Sequence, residues 1–85
     1  MYRIQWSGKA LKQFSRIGNA RDQTRIADAV ETLSAWPVQL NVKTLANHQF
    51  GYRLRVGSYR VLFDVENEIR IIAIQEVKKR DDRTY

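Results

Sequence analysis

Four arginines, Arg53, Arg55, Arg60 and Arg80, have the type and spacing to do chemistry on a phosphate. A guanidinium is planar, permanently charged and forked, and it can bind two phosphate oxygens at once. The first three fall in the run Tyr52-Arg53-Leu54-Arg55-Val56-Gly57-Ser58-Tyr59-Arg60, which reads as two alternating strands joined by a Gly57-Ser58 turn. Such a turn sets Val56 opposite Tyr59 and Arg55 opposite Arg60. Like charges directly opposite one another destabilise a sheet. The pairing is therefore either a solvated outer face with the arginine stems lying flat, or a cradle held ready for an anion. Arginines fixed on strands can bind a phosphodiester and stabilise the extra charge of its transition state. That is a route to RNA cleavage without a metal, in which a 2′-hydroxyl attacks the adjacent phosphorus. It needs a base for the 2′-hydroxyl and an acid for the leaving 5′-oxygen. His48, just before the hairpin, is by position an ordinary polar loop residue; by chemistry it is a candidate acid or base at the mouth of the arginine surface.

Other chemistries find no residues to carry them. The 85 residues include one histidine and no cysteine, with scattered carboxylates, so neither a thiolate zinc site nor a hard-cation loop is expected. The four glycines are isolated and form no phosphate loop. No serine is marked as a partner for His48, and no carboxylate pair is spaced for hydrolysis. No cofactor is expected. Fifteen Lys plus Arg against nine Asp plus Glu leave a net charge of +6, which points to nucleic acid or an acidic protein as partner. Lys9, Lys12 and Arg16 lie along the first helical segment and Lys78, Lys79, Arg80 and Arg83 in the tail; of these, Lys9, Lys12, Lys78 and Arg83 are candidate RNA contacts. No stretch approaches a membrane span, and no leader pattern opens the chain, so a cytoplasmic protein without a membrane partner is expected.

The elements that position these residues follow from periodicity. Tyr2 to Trp6 alternates as a first strand. Ser7 caps a helix from Gly8 to about Ile17, with Ala10, Leu11, Phe14 and Ile17 as its apolar stripe and Gly18 as a left-handed stop. Asn19 caps a second helix that carries Ile26, Val30 and Leu33 and ends before Pro37. Residues 38–50 read as an irregular loop, of the kind that carries function. After the hairpin, Ile69 to Val77 reads as a strand covered on both faces. The order β-α-α-β-β-β predicts one α+β domain over residues 1–85, its helical hairpin packed on one face of a mostly antiparallel four-stranded sheet.

With the opening strand, Ala10-Leu11-Lys12-Gln13-Phe14, the Trp36-Pro37 break, the hairpin from Gly51 to Phe63 and Val77-Lys78-Lys79-Arg80 in place, the chain resembles the RelE/ParE superfamily of bacterial type II toxins. The likeness covers nearly the whole length, and the tyrosine-arginine hairpin is its specific part. It implies a toxin neutralised by a cognate antitoxin, in a complex that binds operator DNA through the antitoxin. RelE-like members are ribonucleases that cut mRNA on the ribosome; ParE-like members poison DNA gyrase instead. By the resemblance, Arg60 stabilises the scissile phosphate, Arg80 serves the leaving group and Tyr85 stacks on a base, which favours the RelE-like branch, an mRNA interferase. Arg53 and Arg55 stand where such enzymes often carry lysines. Arginine cannot readily give up its proton, so the base falls to His48, Lys79 or Tyr85.

Overall fold

The computed structural model describes residues 1–79. Its elements are β1 (Arg3–Trp6), α1 (Gly8–Ser15), α2 (Ala20–Glu31), a 3-10 turn (Thr32–Ala35), β2 (Val42–Thr44), β3 (Tyr52–Val56), β4 (Tyr59–Glu66) and β5 (Ile71–Lys79). The strands form one sheet in the order β1-β5-β4-β3-β2, in which β1 runs parallel to β5 and the other pairs are antiparallel. Both helices contribute to a core on one face, where Ala10, Ile26, Val30 and Leu33 pack with Leu54, Val61, Phe63, Ile72 and Ile74. The α+β architecture expected from the element order is the one found, with one strand more than the four expected.

That strand is β2, inside the segment expected to be irregular. Asn41, with a φ of 62°, turns the chain back, and its carbonyl accepts the Arg55 N–H at 2.8 Å. Val42 then pairs with Leu54, Lys43 with Arg53 and Thr44 with Tyr52. Three residues are too few for alternation to stand out in the sequence.

The helix caps follow local chemistry. The Ser7 hydroxyl accepts the Ala10 N–H at 3.0 Å and the Asn19 side chain accepts the Asp22 N–H at 3.1 Å. The end of α1 differs from expectation. Gly18 is not left-handed; a tight turn closes the helix after Ser15, with the Ile17 N–H donating to the Phe14 carbonyl at 3.2 Å. Ile69 also differs: it is 65 % exposed in the turn before β5, and Arg70 adopts a φ of 54° to enter the strand. Trp36 ends the helical region and packs edge-on against Tyr52 and Phe63, at ring-centroid distances of 4.9 and 5.7 Å.

One irregularity decides which side chains reach the outer face. Leu62 pairs with Glu76 but Phe63 pairs with Ile74, so Gln75 is an extra residue on β5. Strict alternation from Ile72 and Ile74 would send Glu76 and Lys78 toward the helices. The bulge reverses this: Val77 joins the core, and Glu76 and Lys78 share the outer face with Leu62 and Arg60. β1 is only four residues long, so β5 runs on beyond it. Side chains from the start of α1 and from its middle cap that free edge. The Ser7 hydroxyl donates to the Gln75 carbonyl at 3.0 Å, and the Gln13 carbonyl oxygen accepts the Val77 N–H at 2.7 Å.

Candidate functional site

The hairpin takes the register its sequence predicts. Val56 pairs with Tyr59, Arg55 with Arg60, Leu54 with Val61 and Arg53 with Leu62. Gly57 opens the turn at a φ of 56°, where a side chain is strained. Val56, Leu54 and Val61 pack into the core, so Arg53, Arg55 and Arg60 stand on the face away from the helices. Lys43 joins them opposite Arg53, and Lys78 joins them opposite Arg60. Leu62 is buried from this outer side, beneath neighbouring charged stems.

Two clefts open on this face and share Arg53 and Arg60. One, of about 200 Å³, is lined by Arg53, Arg55, Gly57, Tyr59 and Arg60. The other, also about 200 Å³, is lined by Leu45, His48, Arg53, Arg60, Leu62 and Lys78. Arg53 is half-buried between them, and its Nε is buried without a hydrogen-bond partner among the described residues. A buried guanidinium N–H left unpaired is costly.

His48 reaches the second cleft from the loop between β2 and β3. Its Nδ1 accepts the Phe50 N–H at 3.0 Å. The neutral ring therefore carries its proton on Nε2 and presents a donor, not a free lone pair. The loop is tied down next to it, where Asp64 Oδ1 accepts the Gly51 N–H at 2.7 Å.

The remaining candidates separate. Lys79 pairs with Tyr59 and lines clefts on the helical side with Ile26, Gln13 and Ile17, on the face opposite the arginines. Lys9 donates to Glu76 Oε1 at 2.6 Å. Lys12 is exposed further along α1. Arg80, Arg83 and Tyr85 lie outside the described residues. Sequence reasoning missed Lys43, which only the β2 pairing brings to the site. It also missed Arg25, whose guanidinium lies so close to the turn that a Cβ on Gly57 would come within 3.1 Å of it. Two constraints thus meet at Gly57. A Gly57→Ala variant is expected to lose about 1–2 kcal/mol from the left-handed conformation alone, read as a lower denaturant midpoint.

Glu76 is the buried carboxylate of this face. The hydrogen bond from Lys9, aided by the charge of Lys78 with its Nζ at 3.5 Å, holds its carboxyl below the ordinary carboxylate range, against burial, which pushes it up. A pKa depressed in the fold adds stability that is fully present above the unfolded-state value and disappears as pH falls through the folded one. Denaturant midpoints measured from about pH 7 to about pH 3 are therefore expected to fall less steeply for Glu76→Gln than for the parent.

A family model described as the ParE toxin of the type II toxin–antitoxin system parDE matches residues 4–83. No curated protein matches the sequence. Among solved structures, the archaeal RelE–RelB complex from Pyrococcus horikoshii is similar at a TM-score of 0.80 and 24% identity, over 95% of this chain and 97% of that one. The isolated E. coli RelE toxin superposes at 0.79 with 18% identity, over 95% and 86% of the two chains. A RelBE toxin–antitoxin complex from Mycobacterium tuberculosis gives 0.78 at 21% identity, over 93% and 98%. These likenesses establish a shared fold.

Proposed function

Because the chain belongs to the ParE toxin family of type II toxin–antitoxin systems, within the RelE/ParE superfamily, we propose that it is an mRNA endoribonuclease of the RelE-like kind, acting on ribosome-bound message. The observation that carries this reading is the outer sheet face, where two clefts share Arg53 and Arg60, one lined also by Arg55 and the other by Lys78. Fixed guanidinium groups match the oxygens of a phosphodiester and the added charge of its pentacovalent transition state. Arg80 would serve the leaving 5′-oxygen and Tyr85 would stack on a base. Lys9 and Lys12 on α1, with Arg83 in the tail, would add contacts to the RNA backbone. A cognate antitoxin is the expected protein partner, as in the complexes from Pyrococcus horikoshii and Mycobacterium tuberculosis, and operator binding would run through that antitoxin. No helix among the described residues is long and apolar enough to cross a membrane.

The family model is described as a ParE toxin, and the resemblance ties ParE-like members to DNA gyrase, so a gyrase poison is the second reading. That activity is binding, and it has no use for a cluster built around a phosphodiester's reacting centre. Expression of the chain without antitoxin separates the two. New RNA 5′ ends inside translated codons are the expected result. Stabilised gyrase–DNA cleavage complexes with intact mRNA would replace this reading with the second.

A further inference from the structure

Cleavage by 2′-hydroxyl attack needs a group that takes a proton, and the geometry of the outer face narrows the choice. Arg53, Arg55 and Arg60 keep their protons at any accessible pH. Lys79 lies on the helical side of the sheet. His48 has its one free lone pair, on Nδ1, occupied by the Phe50 N–H, so it enters the cleft as a hydrogen-bond donor. Asp64 anchors the loop, with Oδ1 on the Gly51 N–H at 2.7 Å and Oδ2 accepting from the Gln75 amide at 3.4 Å. Glu76 is committed to Lys9.

Lys78 remains. The Gln75 bulge turns it outward, directly opposite Arg60, and it lines the same cleft as His48, Arg53 and Arg60. Its side chain is 55 % exposed, and its contact with Glu76, at 3.5 Å, is the looser of the two lysine contacts to that carboxylate. The charged and titratable groups facing it are Arg60 on β4, Arg53 on β3, Glu76 on β5 with Lys9 of α1, and His48 of the loop. A lysine is the one cationic side chain of this set that can work as a base once neutral.

We propose that Lys78 is the general base of this site, taking the 2′-hydroxyl proton of a ribonucleotide bound between Arg53 and Arg60. This rests on the nuclease reading above. In the step, the neutral Lys78 amine accepts the proton of O2′, the O2′–P bond forms and the P–O5′ bond breaks. The leaving O5′ takes a proton from water or a neighbouring acid. The products are a 2′,3′-cyclic phosphate and a 5′-hydroxyl, and the Lys78 ammonium returns its proton to solvent.

The test uses the full chain on programmed ribosomes, with single-turnover cleavage measured from about pH 6 to about pH 9. Lys78→Arg keeps the charge and removes the base. It is expected to cut at least about 100-fold more slowly, and to lose the parent's rise in rate with pH. It should still bind a message carrying 2′-deoxy at the cut site as the parent does. Lys79→Arg should cut like the parent. Lys78→Ala, checked for an unchanged unfolding midpoint, should recover rate with added methylamine. A Lys78→Arg chain that cuts like the parent with the same pH profile overturns the assignment and leaves the nuclease reading standing. So does a loss that falls on Lys79→Arg instead. A parent chain that makes no cut at all overturns both.

Discussion

Replacing Arg60 with alanine is expected to slow mRNA cleavage about 100- to 1,000-fold, the size of effect seen when one fixed donor to a developing oxyanion is removed. Arg60 is placed centrally for this. It stands between Arg55 on β3 and Lys78 on β5, and it lines both clefts of the outer face. Its backbone is held on both sides by ladder partners, so the guanidinium is presented from a rigid base. Arg60→Lys retains a charge but not the planar fork, and its rate should fall between parent and alanine variant. Single-turnover rates with each variant saturating the ribosomes measure this. Equal unfolding midpoints for parent and variant show that the loss belongs to the chemistry.

The second large effect concerns stability. Phe63→Ala is expected to cost about 3–5 kcal/mol. Phe63 is fully buried in β4. It stacks on Tyr52 at a centroid distance of 5.4 Å and meets Trp36 edge-on at 5.7 Å. Removing it opens a cavity where the end of the helical segment, β3 and β4 converge. A domain of this size commonly has only about 5–15 kcal/mol to lose, so the variant should melt far below the parent in calorimetry or denaturant titration. Leu11→Ala offers the contrast. Leu11 was expected on the apolar stripe of α1 but is 51 % exposed, and its loss should shift the midpoint only slightly.

Much of this was legible in the residues, and what was not has local causes. The hairpin register followed from two facts, alternation and a Gly-Ser turn, and both survive folding because the Val56, Leu54 and Val61 side needs a core. The caps at Ser7 and Asn19 were readable because each side chain bonds an N–H only three residues on. β2 was hidden because it is only three residues long, too short for alternation to stand out.

The site was harder to read, and β5 shows why. Sequence periodicity assigns faces by counting in twos, and a single bulged residue, Gln75, inverts the count for everything after it. Lys79 was a candidate base and Lys78 only an RNA contact; the bulge places Lys78 with the arginines and Lys79 with the helices. His48 lines the cleft with Arg53 and Arg60. Its bond from the Phe50 N–H, which makes it a donor, depends on loop geometry that no spacing rule predicts. Arg25 comes to the hairpin tip across the fold from α2, and nothing local in the sequence links the two.

Whether the arginine face cleaves a phosphodiester can be read by adding the purified chain to ribosomes stalled on a defined message and sequencing the RNA ends. Cuts are expected within the codon exposed on the ribosome, leaving a 2′,3′-cyclic phosphate and a 5′-hydroxyl, and largely lost in Arg60→Ala. Message that stays whole, or cuts that Arg60→Ala makes equally well, would contradict this expectation.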